Sequence, residues 1–172
     1  MKLKINSLLL VLFFLIIFIL FYKSLKNTNV YTPKVNVEKN IPFFNSIILN
    51  SEDKINSNEI FESNQFYIFN IWASWCVPCR KEHSYLMQLS KKRNLKIIGL
   101  NYKDDTRKAK KFLNELKNPF DMILLDKDGT IAIEWGAYGV PETFIVFNKK
   151  IIKKIIGPIT DQTLIEIENL TK

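Results

Sequence analysis

The stretch WASWCVPCRKEH, Trp72 to His83, holds both cysteines of the 172-residue chain. It lies where a near-continuous apolar run, FYIFNIW (Phe66 to Trp72), gives way to a polar segment with helical spacing, RKEHSYLMQLSKK (Arg80 to Lys92). An apolar run rich in aromatic and branched residues predicts a central strand buried on both faces. The cysteines therefore mark the seam between a buried strand and the helix that follows it. At such a seam Cys76 takes the helix N-terminus, where unpaired N–H groups and the helix dipole stabilise a thiolate. Pro78 falls in the first turn, where its missing N–H costs nothing. Cys79 sits one turn inside, close enough to attack a mixed disulfide formed on Cys76. Nucleophile and resolving thiol come as one package, which predicts thiol–disulfide exchange and a reversible Cys76–Cys79 disulfide.

Two other uses of the pair fit less well. A structural staple closing so short a loop removes only about 2 kcal/mol of unfolded-state freedom, and it joins neighbours rather than distant segments. A closed zinc site needs four protein ligands; Cys76, Cys79 and His83 have no second Cys/His pair to complete them, so no metal is expected. The haem-attachment pattern fails because Arg80, not histidine, follows Cys79. No cofactor is expected.

Working outward, LKIIGLN (Leu95 to Asn101) and DMILLD (Asp121 to Asp126) predict two more buried strands. Between them, Asp104-Asp105-Thr106 can cap a helix with Ala109, Phe112, Leu113 and Leu116 on its inner face, ended by Asn118-Pro119. Thr130 to Trp135 is a short amphipathic segment. TFIVFN, a turn at Asn148-Lys149-Lys150 and IIKKII predict a hairpin, and Thr160 or Asp161 starts a last helix. Pro42 to Leu49 reads as a short early strand or an irregular apolar strip. The order β-α-β-α-β-(α)-β-β-α implies an α/β fold: parallel crossovers first, an antiparallel hairpin last, and helices flanking a mixed central sheet.

Lys and Arg outnumber Asp and Glu by 25 to 17, but the cations are scattered among Asn and Ile with acidic neighbours. A solvated surface explains them better than a nucleic-acid partner; attraction to anionic headgroups is a second source. At the N-terminus an apolar run from Ile5 to Tyr22, flanked by lysines, would span roughly 27 Å as a helix, enough to cross a bilayer core. No A-x-A-like cleavage site follows, which predicts an uncleaved transmembrane anchor over 1–26. Residues 27–40 read as a polar tether and 41–172 as one domain. The flanking lysines are nearly balanced and orient the anchor only weakly.

WASWCVPC resembles the W-A-x-W-C-x-x-C site of membrane-tethered, thioredoxin-like reductases. NYKDD (Asn101 to Asp105) and GAYGVPETF (Gly136 to Phe144) are similar to the CcmG/DsbE group, which serves cytochrome c maturation. The resemblance runs from Pro42 to the C-terminus, plus the anchor. It implies a thioredoxin-like fold, Cys76 as attacking thiol and Cys79 as resolving thiol. It implies a cis peptide at Val140-Pro141 beside the cysteines, leaving the Val140 backbone to take a substrate segment as a short strand. It also implies a single-pass protein of the bacterial inner membrane, its domain facing the periplasm. The expected partners are apocytochrome c or a maturation protein handling it, with an electron donor of the DsbD/CcdA type.

Neighbouring residues fit this chemistry. Glu82 lies on the Cys79 face of its helix, and Glu142 adjoins Pro141. Either carboxylate can take up the resolving thiol's proton and disfavour a thiolate, which makes a stronger reductant; the alternative for both is a solvated surface charge. His83 reads as a polar helix residue. Asn70 stands where thioredoxins carry a buried aspartate, which shifts proton handling toward Glu82. Trp75, beside Cys76, is expected to cover the site and contact substrate, and Trp72 to fill the core. Competing functions are a general extracytoplasmic reductase or oxidant and, from another class, a non-catalytic scaffold with a structural disulfide. The peroxidatic pattern P-x-x-x-T-x-x-C is absent.

Overall fold

The computed structural model describes residues 2–26, 39–51 and 53–172. The chain divides into two units, Met1–Lys34 and Val35–Lys172. In the first, helix α1 runs Lys2–Lys26, and most of its side chains between Leu9 and Tyr22 are exposed and apolar. Among the described residues no helix is long and apolar enough to cross a membrane. For α1, side chains are described only over residues 9–23.

In the second unit the elements are β1 (Lys39–Asn40), β2 (Asn45–Ile48), β3 (Lys54–Asn56), α2 (Ser57–Ile60), β4 (Phe66–Trp72), α3 (Val77–Leu89), β5 (Leu95–Tyr102), α4 (Thr106–Leu116), β6 (Met122–Asp126), α5 (Thr130–Glu134), β7 (Glu142–Phe147), β8 (Lys150–Ile156) and α6 (Asp161–Leu170). The strands form one mixed sheet of eight in the order β1-β8-β7-β4-β5-β6-β2-β3. As the apolar run predicts, β4 is central: parallel to β5 on one side, antiparallel to β7 on the other. Its residues alternate between two cores. Ile68 and Trp72 pack with Leu86 and Leu89 of α3, Phe112 of α4 and Ile167 of α6. Tyr67, Phe69 and Ile71 pack on the opposite face with Ile60 of α2 and Ile131 of α5. Each fully buried Ile or Phe contributes about 1.5–3 kcal/mol, so the strand that leads to the cysteines is fixed from both sides.

Local chemistry explains the turns. Asn148 and Lys149 both take positive φ, 50° and 60°, which suits a tight two-residue hairpin between β7 and β8. Gly99 of β5 is required by close approach: a Cβ there would stand 2.8 Å from both Trp72 Nε1 and Phe120 Cδ1.

The short elements refine the sequence expectation. Lys39 and Asn40, assigned to the tether, pair with Ile151 and Lys150 as an edge strand; the rest of the tether lies outside the described residues. Within the apolar strip at 42–49, Asn45–Ile48 forms the short strand β2, one of the two forms expected, held antiparallel to β6 and to β3. β3 and α2 carry too little periodicity to be read, since α2 is a single turn capped by the Asn56 side chain.

Candidate active site

Cys76 and Cys79 are joined by a disulfide, with an S–S distance of 2.00 Å and a Cα–Cα distance of 5.3 Å. Cys76 is the N-cap of α3, in extended conformation, and its Sγ accepts a hydrogen bond from the Cys79 N–H at 3.0 Å. Pro78 sits in the first turn. A sulfur here stands among the unpaired N–H groups and at the positive end of the helix, the environment that lowers a thiol pKa. Cys76 is only 4% exposed, while its neighbours Trp75 and Val77 are 55% and 66% exposed. A partner must therefore lie over Trp75 and Val77 to reach the sulfur.

The loop before Cys76 is held by an acid that the sequence left as a helix cap. Asp104 accepts hydrogen bonds from the Ser74 N–H at 2.6 Å and Ser74 Oγ at 2.7 Å, and from Asn101 Nδ2 at 2.9 Å. Asp105 is the actual cap of α4. Trp75 donates from Nε1 to the Lys103 carbonyl at 3.2 Å, which presents its ring beside Cys76. Only a tertiary contact between two loops reveals Asp104, so spacing along the chain gives no sign of it.

One turn after Cys79, Glu82 is buried, 1% exposed, rather than a solvated charge. Its Oε1 accepts from Asn70 Nδ2 at 2.9 Å and its Oε2 from the Ile159 N–H at 2.8 Å. Asn70 also donates to Thr143 Oγ1 at 3.0 Å. No cation faces Glu82 among these partners. Burial pushes its carboxyl up to about 7, against the pull of the two hydrogen bonds toward the charged form.

Glu142 is equally buried but differently used. The Ile71–Glu142 pairing sets the Val140–Pro141 segment at the end of β4 from which the cysteine loop departs. That peptide bond is cis. Among the described residues neither the Val140 N–H nor its carbonyl has a hydrogen-bond partner. Glu142 Oε1 accepts from the Tyr138 and Gly139 N–H groups at 2.7 and 3.1 Å. Its Oε2 lies 2.8 Å from Lys154 Nζ, both side chains 2% exposed, an ion pair without good hydrogen-bond alignment. Lys154 also donates to the Gly136 carbonyl at 2.8 Å and sits 4.1 Å above the Tyr138 ring. Glu142 and Lys154 thus brace the segment leading into Pro141.

The remaining candidates are core. His83 is buried, its Nε2 2.8 Å from the Lys117 carbonyl and its ring edge-on to Phe112; burial holds it below the ordinary histidine range. Trp72 stacks on Phe120, and Trp135, without a role in the sequence, stacks 4.0 Å from Phe69 in the opposite core. No cluster of three or more potential metal ligands occurs among the described residues.

The arrangement supports disulfide exchange. Cys76 lies at the helix N-terminus under the exposed Trp75 and Val77, and Cys79 lies one turn before a buried carboxyl that titrates near neutrality.

The Redoxin family model matches residues 36–171. The chain is 45% identical over 101 residues to the thiol:disulfide interchange protein DsbE of Haemophilus influenzae, a match covering 59% of this chain and 55% of that relative. With DsbE of Escherichia coli it shares 35% identity over 158 residues, 89% of this chain and 84% of the relative. A crystal structure of a DsbE-type protein from Chlorobium tepidum, 20% identical, superposes with a TM-score of 0.67 over 79% of this chain and 95% of that one, which identifies the fold as thioredoxin-like. With the family model spanning nearly the whole second unit and the Escherichia coli relative aligned over most of both chains, this chain belongs to the Redoxin family and, within it, to the DsbE group of thiol:disulfide interchange proteins.

Proposed function

We propose that this chain is a membrane-anchored thiol–disulfide reductase that keeps cysteines reduced for cytochrome c maturation. The observation that carries the redox assignment is the Cys76–Cys79 disulfide at the N-terminus of α3, one turn from the buried Glu82. In the reduced protein the Cys76 thiolate attacks one sulfur of a partner's cystine. A mixed disulfide forms and the partner's other sulfur leaves as a thiolate. Cys79, its proton passed toward Glu82, then attacks Cys76 Sγ, releasing the partner's second thiolate and closing the Cys76–Cys79 bond. Two electrons pass from the protein dithiol to the partner. The free Val140 backbone, beside Pro141 and the exposed Trp75, is the surface on which the partner segment lies.

Glu82 decides the direction. A carboxylate near Cys79 opposes thiolate formation, destabilises the reduced form and makes the pair a stronger reductant. Glu142 is already paired with Lys154, so proton handling rests with Glu82. The cytochrome assignment draws on the resemblance of NYKDD and GAYGVPETF to the CcmG/DsbE group. It makes apocytochrome c, or a maturation protein handling it, the partner, and a DsbD/CcdA-type membrane protein the electron donor. The apolar run in α1 supports a single-pass inner-membrane anchor with the domain in the periplasm.

The test is a Cys79→Ser variant expressed in cells that make c-type cytochromes. It accumulates mixed disulfides through Cys76, and mass spectrometry of the trapped partners finds apocytochrome c or a maturation protein among them. Normal cytochrome c assembly in cells whose only copy lacks Cys76 overturns the maturation role.

A further inference from the structure

Beside the cysteines, between the first turns of α3 and the length of α4, lies a cleft of about 400 Å³ lined by Trp75, Arg80, Lys108, Lys111, Phe112 and Glu115. Its lining side chains carry three cations and one carboxylate, with Asp104 bound to the lining Ser74 and Asp105 acting on Lys108 at the N-terminal end of α4. Glu115 is shared: its Oε2 is 3.2 Å from Arg80 and its Oε1 4.0 Å from Lys111. Arg80 also lies over the Phe112 ring at 4.9 Å, which fixes its guanidinium in the cleft wall. Lys108 is in no ion pair among the described residues, although its charge acts on the Asp105 carboxylate that caps α4. Trp75 forms the lip toward Cys76, held there by its bond to the Lys103 carbonyl. The cleft is thus basic, aromatic at one edge and adjacent to the reactive sulfur.

Resting on the reductase reading, we propose that this cleft is a docking subsite for an acidic segment flanking the disulfide that Cys76 attacks. Carboxylates two or three residues from the attacked cystine reach Lys108 and Lys111 while the cystine lies over Trp75. Excess positive charge in a concave wall raises the encounter rate with an anionic segment and disfavours a basic one, and exposed pairs of this kind act on association more than on intrinsic chemistry. The subsite would select among partner disulfides of equal reactivity.

Three cystine peptides with one core sequence, flanked by Glu-Glu, Gln-Gln or Lys-Lys, provide the test. Second-order rates of their reduction by the full-length reduced protein are measured by acid quench and mass spectrometry at low and high salt. The Glu peptide is expected to react about tenfold faster than the Gln peptide at low salt, and the Lys peptide slower, with the spread collapsing as salt screens the charges. In Lys108→Glu/Lys111→Glu the order of the Glu and Lys peptides inverts. A variant with the same net-charge change elsewhere, Lys91→Glu/Arg93→Glu beyond the C-terminal end of α3, keeps the wild-type order. Equal rates for the three peptides overturn the subsite, as does loss of preference in the Lys91/Arg93 variant to the same degree, which assigns it to overall charge. Failure of wild-type protein to reduce any of the peptides and a panel of unrelated cystines strikes at the reductase reading itself, and the subsite falls with it.

Discussion

At Glu82 two opposing effects meet, and their balance sets the chemistry. The Asn70 amide and the Ile159 N–H both favour the carboxylate, yet loss of water outweighs them and the group titrates at about 7 instead of 4.5. The folded protein therefore holds a proton that the unfolded chain has released between roughly pH 4.5 and 7. Stability falls with rising pH across that window and levels off above it, by roughly 3 kcal/mol in total for this group. Glu82→Gln retains an acceptor for the Ile159 N–H and removes the charge. Urea unfolding of oxidised protein between pH 4 and 9 is expected to show the variant more stable at pH 8, near parity at pH 4, and with this segment of the pH slope gone. The same variant should raise the reduction potential by roughly 30 mV, a tenfold shift toward the dithiol, when equilibrated with glutathione. A variant with the wild-type pH profile would relocate the titrating group.

Between elements, the counterpart of Glu82 is the Glu142–Lys154 pair, which ties the β7–β8 hairpin to the 136–139 loop. Two side chains 2% exposed have given up nearly all hydration, so removing one strands the other. Lys154→Met is expected to cost about 3–5 kcal/mol in equilibrium unfolding, while a Glu142→Gln/Lys154→Met double variant recovers a large part of it. Recovery in the double variant separates the lone-charge penalty from lost packing. Such a pair is invisible in sequence because Lys154 sits within IIKKII, where a strand edge normally turns lysine to solvent. The same limit hid Asp104, whose partner Ser74 is thirty residues away in another loop. What was legible were features with strong local period or chemistry. FYIFNIW fits a strand buried on both faces, and Cys76-x-x-Cys79 with Pro78 fits the opening of a helix, as found. Helical spacing alone places Glu82 on the Cys79 face, while nothing in the spacing marks Glu82 or His83 as buried. Their burial needed α6 and the Lys117 turn to close over them, and β1, β3 and α2 were too short to leave a pattern.

For the whole molecule, the proposed function raises the question of how a reductant would operate in an oxidising compartment. Each turnover leaves the Cys76–Cys79 disulfide, and an oxidising compartment offers no soluble thiol pool to reopen it. A tether to the membrane, as proposed, would hold the domain near an electron donor embedded there and raise the effective concentration of the two sites for each other. That argument requires both the anchor and its orientation. In the proposed function the apolar run from Ile5 to Tyr22, roughly 27 Å as a helix, is taken as the anchor. The full chain is therefore expected to stay with membranes through an alkaline carbonate wash, whereas a chain starting at Val35 is released. In intact spheroplasts reduced with an impermeant phosphine, an impermeant maleimide should label Cys76 without lysis, and Cys76→Ser should lose most of the label. Labelling that appears only after lysis would place the domain on the opposite face, where a soluble thiol pool makes the tether unnecessary and the proposed maturation role loses its physical reason.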